Sequence, residues 1–191
     1  MKKTLALMTV SLVAILAACG SSSSSGADTT SAKAATFNDA DVMFAQMMIP
    51  HHEQAIEMSD IALDPTVGAS QPILDLATQI KDAQDPEITQ MKNLLTAWNK
   101  PEVADSGMDH SSMMSGMMTT DELAEMGKTK GKDFDGAWAE SMIAHHEGAI
   151  EMANAVLDEG VSPEVRALAQ AIVAGQQAEI GTLRGLLTGA E

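Results

Sequence analysis

Between residues 73 and 98 the side chains Ile73, Leu76, Ile80, Ala83, Met91, Leu94 and Trp98 recur at steps of three and four, with Glu87 in the one polar place of the register. That spacing predicts an amphipathic helix, because residues three and four apart share a helix face whereas a strand alternates in twos. Three other stretches read the same way, so four helices are expected. Ser162 before Pro163 makes an N-cap and first-turn pair, and Ser70 with Pro72 a looser one. Pro50 and Pro86 fall inside predicted helices and are expected to bend or locally break them, since proline lacks the N–H and its ring crowds the preceding turn. Residues 100–118 hold turn formers and no periodic face, which predicts a mobile loop. A short helix over 119–127 should follow, capped at Thr119 with Glu122 three residues on.

The pattern also repeats. "MMIPHHEQAIEM" (47–58) and "SMIAHHEGAIEM" (141–152) are identical at nine of twelve positions. Asp39-Ala-Asp41 precedes the first block as Asp133-Phe-Asp135 precedes the second, and Phe44 aligns with Trp138. Further on, "LATQIKDAQDPEITQMKNLL" (76–95) matches "LAQAIVAGQQAEIGTLRGLL" (168–187). The chain is therefore read as a duplicated helical hairpin, repeat one over 37–99 and repeat two over 131–188. Together, over 37–188, they predict an all-α, antiparallel four-helix bundle.

The first residues stand apart from this pattern. Lys2 and Lys3 precede an apolar run from Leu5 to Ala18, which resembles a signal peptide and is too short to span a bilayer. Leu16-Ala17-Ala18-Cys19 resembles the lipobox of bacterial lipoproteins, in which the cysteine becomes the lipidated first residue. That resemblance implies cleavage after residue 18 and an exported protein anchored at Cys19, facing the periplasm or cell surface. An ordinary secretory leader with a stray cysteine is the plainer alternative. Residues 19–36 are rich in Ser, Gly and Ala and read as a disordered tether, since such sequence buries too little surface to order itself.

Charge and composition narrow the chemistry. Cys19 is the one cysteine in 191 residues, so the helical part has no thiol for a disulfide, thiolate site or nucleophile. The formal net charge is −16, and loss of Lys2 and Lys3 with the leader takes it to −18. Such a surface repels nucleic acid. Gly-rich phosphate loops and GxSxG elbows are absent.

Projection at about 100° per residue places the histidines among sulfur. Phe44, Met58, Met47 and Met48 fall around His51, and His52 stays inside an apolar arc, while Glu53 and Glu57 land opposite. In the second copy Trp138, Met142 and Met152 flank His145, with His146 beside it and Glu147 and Glu151 pointing away. One histidine on such a face is ordinarily a hydrogen-bonded core residue, and a methionine at this spacing ordinarily fills gaps. Two HH pairs at equivalent places, each with methionines a turn away, argue instead for a soft or borderline ion. Copper fits best, Cu(I) before Cu(II), with other transition metals possible. The loop points the same way: Met108, His110, Met113, Met114, Met117 and Met118 crowd into eleven residues that have no core face. A low-complexity linker or an oxidant-scavenging methionine tract are the alternatives there.

"MIPHHEQAIEM" and "MIAHHEGAIEM", each followed by "LA..I......EI..M/L..LL", resemble the bacterial family called domain of unknown function 305, over most of residues 39–187. The resemblance implies a ferritin-like four-helix bundle, export, and copper binding of the kind reported for some members. It points to Met48, His51, His52 and Met58, and to Met142, His145, His146 and Met152. Pro50 is Ala144 in the second copy and Gln54 is Gly148, which leaves the ligand positions intact.

The expectation is a lipid-anchored, extracytoplasmic copper-binding protein that sequesters the ion or exchanges it with a donor or acceptor protein, without enzymatic activity. A structural or partner-binding envelope bundle is the alternative, with histidines that satisfy one another. A metal-dependent oxidoreductase comes third. The Glu-x-x-His of di-iron bundles is missing, since Met48, Ile49, Met142 and Ile143 stand three residues before the histidines, and there is no HExxH.

Overall fold

The computed structural model describes residues 36–103 and 114–189. The leader, Cys19 and the tether up to residue 35 lie outside the described residues, as do Met108, His110 and Met113. The rest is helical: α1 (Asp39–Leu63), α2 (Gln71–Ala97), α3 (Thr120–Met126), α4 (Gly131–Glu159) and α5 (Pro163–Thr188). Helices α1 and α2 form one hairpin, α4 and α5 the other, and α1 packs on α4, while α2 and α5 touch more thinly.

Two hydrophobic clusters define the relative directions. One joins Val42 to Ile49 of α1 with the C-terminal part of α2, Ala149 to Val156 of α4 and Val165 to Ile172 of α5. The other joins Ala55 to Ala62 of α1 with Ile73 to Ile80, Phe134 to Met142 and Leu183. Adjacent helices therefore run antiparallel. Helix α2 ends beside the first cluster and α4 begins beside the second, so the two hairpins are joined between opposite ends of the bundle. One long crossover of this kind is the connection used by ferritin-like bundles. Within it, Leu123 and Met126 of α3 bury into the second cluster.

The caps at Ser162 and Thr119 form as the sequence predicts: Ser162 Oγ accepts the Val165 N–H, and Thr119 and Glu122 make a reciprocal box. Ser70 begins α2 without a side-chain cap bond. The prolines do not break their helices; α1 runs unbroken through Pro50 and α2 through Pro86. Each helix has more than a turn packed on both sides of its proline, which offsets the one lost backbone bond. In α2 the buried stripe also drifts from the expected register. Ala83 is exposed and Leu94 half-buried, while Gln84, Ile88 and Leu95 are buried.

An aspartate near the start of each hairpin holds the turn of the other. Asp41, fully buried, accepts the backbone N–H groups of Val161 and Ser162 at 3.1 Å, and that of Asn38 at 2.9 Å. Asp135, its repeat equivalent, accepts the Ser70 N–H at 3.0 Å. Removing Asp41 strands several donors at once. Asp41→Ala is expected to lower unfolding stability by about 2–4 kcal/mol in denaturant titration, against about 1 kcal/mol for Asp135→Ala.

Candidate metal centre

The HH pairs lie between the two hydrophobic clusters on both α1 and α4, and the antiparallel packing of these helices brings the pairs to one level. His51, His52, His145 and His146 are all fully buried. The rings of His51 and His145 lie 3.8 Å apart between centroids, tilted by 41°, and those of His145 and His146 lie 6.3 Å apart. The four imidazoles thus form a single cluster.

Three of them are oriented by a partner. His52 Nε2 donates to Glu87 Oε2 at 2.8 Å and His146 Nε2 to Glu179 Oε2 at 2.7 Å. His51 Nε2 donates to the Ser115 carbonyl at 3.2 Å. Each bond fixes the proton on Nε2 and leaves a lone pair on Nδ1. None of the Nδ1 atoms has a hydrogen-bond partner, and His145 lacks one on either nitrogen. A buried polar atom without a partner costs about 1–3 kcal/mol, so five in one cluster require an explanation. Carboxylate or carbonyl on one nitrogen and a free lone pair on the other is the arrangement that metal-ligating histidines have.

Burial holds His51 and His145 neutral. Burial pushes the His51 pKa down to about 4, with the Ser115 bond opposing and the neighbouring His52 and His146 adding to the fall. His145 is lowered well below the ordinary value by burial first and then by His51, His146 and His52. Four imidazoles packed away from water cannot share several positive charges. They can share lone pairs.

The methionines divide. Met48 is fully buried in the first cluster, while Met58 and Met142 are fully buried in the second with Trp138, whose indole donates to the Met58 carbonyl at 2.9 Å. Met47 and Met152 line a groove of about 430 Å³ between α1 and α4, together with Met43 and Ser115. Met114 is half-buried, and Met117 and Met118 line a second groove with Asp121, Glu122 and Glu125 of α3. Glu53, Glu57, Glu147 and Glu151 are exposed, as the projection indicates.

Residues 114–118 are not the free loop expected from their composition. They form a strap seated across α1 and α4 over the histidines. Gln54 grips it with two bonds, Nε2 to the Met118 carbonyl at 2.8 Å and the Met118 N–H to Oε1 at 2.7 Å. On the other side Gly148 admits it, because a Cβ there would collide with the Ser115 carbonyl, and Gly116 at φ 81° passes against the Ala144 backbone. Positions 54 and 148 are repeat equivalents, so their difference is what seats the strap. Ala in place of Gly inside a free helix adds about 1 kcal/mol of stability. Gly148→Ala is expected instead to cost about 1–3 kcal/mol by chemical denaturation, since the added carbon overpacks against backbone.

The residues that sequence reading missed are Glu87 and Glu179. The signal was present: Glu87 interrupts the apolar stripe of α2, and Glu179 stands at the matching place in α5. Among the described residues, no group of three or more His, Cys, Asp or Glu side chains could hold a metal ion as it stands. The His51 and His145 rings are tilted by 41° at 3.8 Å between centroids, so an ion here would take a subset of imidazoles, with thioether sulfur or small ring rotations completing its shell.

Fold and site together define a duplicated-hairpin bundle with a buried imidazole cluster at its centre. The model of the family described as Domain of unknown function (DUF305) matches residues 41–187, and the chain belongs to that family. It is similar to a DUF305 fragment from Deinococcus radiodurans, with 31% identity and TM-score 0.70 over 79% of this chain and 97% of that one. A DUF305 protein from Streptomyces coelicolor described as secreted matches at 31% identity and TM-score 0.72, over 78% and 91%. CopM in the Cu(II)-bound form matches at 31% identity and TM-score 0.66, over 79% and 97%, and CopM is also solved in a Cu(I)-bound form. No curated protein matches the chain.

Proposed function

We propose that this protein binds copper outside the cytoplasm, to hold it or to pass it between a donor and an acceptor protein, and that it is not an enzyme. The observation that carries the reading is the cluster of four buried imidazoles with five ring nitrogens lacking any partner. Bound forms of CopM with Cu(I) and Cu(II) support copper as the ion, and the secreted Streptomyces relative supports export. No helix among the described residues is long and apolar enough to cross a membrane, so attachment would rest on lipid at Cys19.

In this reading His52 and His146, fixed by Glu87 and Glu179, and His51, fixed by Ser115, present Nδ1 to the ion, and His145 supplies either nitrogen. Neutral nitrogen with nearby thioether favours Cu(I). The Met47–Met152 groove and the strap methionines Met114, Met117 and Met118 form the approach. Cu(I) titration of the full chain against a competing chelator is the test. One tightly held equivalent or more is expected, and undiminished binding by a chain with all four histidines changed to alanine overturns the reading.

A further inference from the structure

On the side of the histidines away from the strap, where α2 faces α5, lies a cavity of about 30 Å³ lined by Gln84, Glu87, Gln176 and Glu179, with Ala171 and Gly175 among its walls. None of its lining residues is basic. Gln84 and Gln176 are 2% and 4% exposed, and all four of their side-chain amide atoms lack a hydrogen-bond partner. The two amides do not satisfy each other, although both line the same small space. Glu87 and Glu179, with side chains 22% and 18% exposed, each use Oε2 for a histidine, which leaves the other oxygen of each available.

Two carboxylates and two carboxamides line this one small space, with no Lys or Arg among them. A single water fits the space, but with at most four hydrogen bonds it cannot satisfy four unpartnered amide atoms and two free carboxylate oxygens together. Carboxylate and carboxamide oxygens are the ligand set of hard cations, which prefer oxygen to imidazole or sulfur.

We propose that the slot between α2 and α5 binds one hard divalent cation through carboxylate oxygens of Glu87 and Glu179 and amide oxygens of Gln84 and Gln176. The bundle then carries two chemically distinct positions on either side of one layer of imidazoles: a soft one beneath the strap and a hard one in the slot. The hard site does not depend on copper at the histidines.

Mn²⁺ is the probe, because its free aquo ion is read directly by electron paramagnetic resonance. The full chain is expected to remove one equivalent from the free signal, with Ca²⁺ in excess returning it. Gln84→Leu/Gln176→Leu, which leaves every histidine and glutamate in place, is expected to weaken Mn²⁺ at least about tenfold while the Cu(I) stoichiometry stays unchanged. Mn²⁺ left free by the unaltered chain overturns the slot, as does equal binding by the double variant, which would place the ion on surface acids. Copper binding measured in parallel separates the two readings, since either can fail with the other intact. Should the leucines impair folding, anomalous scattering from Mn²⁺ in crystals of the unaltered chain decides: a peak among the four oxygens supports the proposal, and peaks elsewhere alone overturn it.

Discussion

Changing His51 and His145 together to alanine is expected to lower Cu(I) affinity more than hundredfold while far-ultraviolet circular dichroism stays helical. The two rings are the closest pair in the cluster, 3.8 Å apart between centroids, and one belongs to each repeat. Loss of partners that merely orient ligands costs about 10–100-fold in metal affinity, so loss of two ligands should exceed it. The fold should survive, because both rings lie between the hydrophobic clusters and outside either of them. Their removal opens a cavity, but it also removes three unpaired ring nitrogens. A competition titration with a chromogenic Cu(I) chelator measures the change. Affinity within a few-fold of the unaltered chain would return the histidines to a structural role.

The second large effect is on acid stability of the metal-free protein. His51 has a pKa of about 4 in the fold against 6.5 for the free side chain, because burial disfavours its charged form. Between those values the unfolded chain takes up a proton that the folded chain refuses, so stability is full above pH 6.5 and falls as pH drops towards 4. At about 1.4 kcal/mol per unit, His51 alone accounts for a loss on the order of 3 kcal/mol. His145 shifts in the same direction and adds to it. Denaturant midpoints measured from pH 7 to pH 4 should fall steadily, and the His51→Ala/His145→Ala chain should show a much flatter profile. At His51 and His145 copper should meanwhile meet less competition from protons between pH 7 and about pH 5 than it would at free imidazole.

The bundle was legible because its signals are local and doubled. Two copies of one helical stripe, two HH blocks and the caps at Thr119 and Ser162 each state their own structure, and agreement between copies removes ambiguity. The inward set around His51 and His145 followed from angular position alone. What sequence could not show depends on elements distant in the chain. Glu87 read as a flaw in a stripe until α2 lay beside α1 and brought it to His52. Ala83 was given a core place that Gln84 holds, because steps of three and four accumulate error along a 27-residue helix. The strap was hidden because its seat on α4 is an absence, the missing Cβ of Gly148, and Gln54 opposite Gly148 looked like neutral drift.

That difference at equivalent positions has a geometric meaning. Two identical hairpins, each clasping the turn of the other through Asp41 or Asp135, are the architecture of a homodimer with a twofold axis between α1 and α4. A single strap cannot lie across such an axis and respect it, for the operation that maps one hairpin onto the other would generate a second strap in the same place. Only a covalent tandem, whose halves are free to diverge, can put a gripping glutamine on one side and a bare glycine on the other. The cluster of imidazoles therefore lies under a cover held by one half and merely admitted by the other, an inequality that paired identical subunits could not possess.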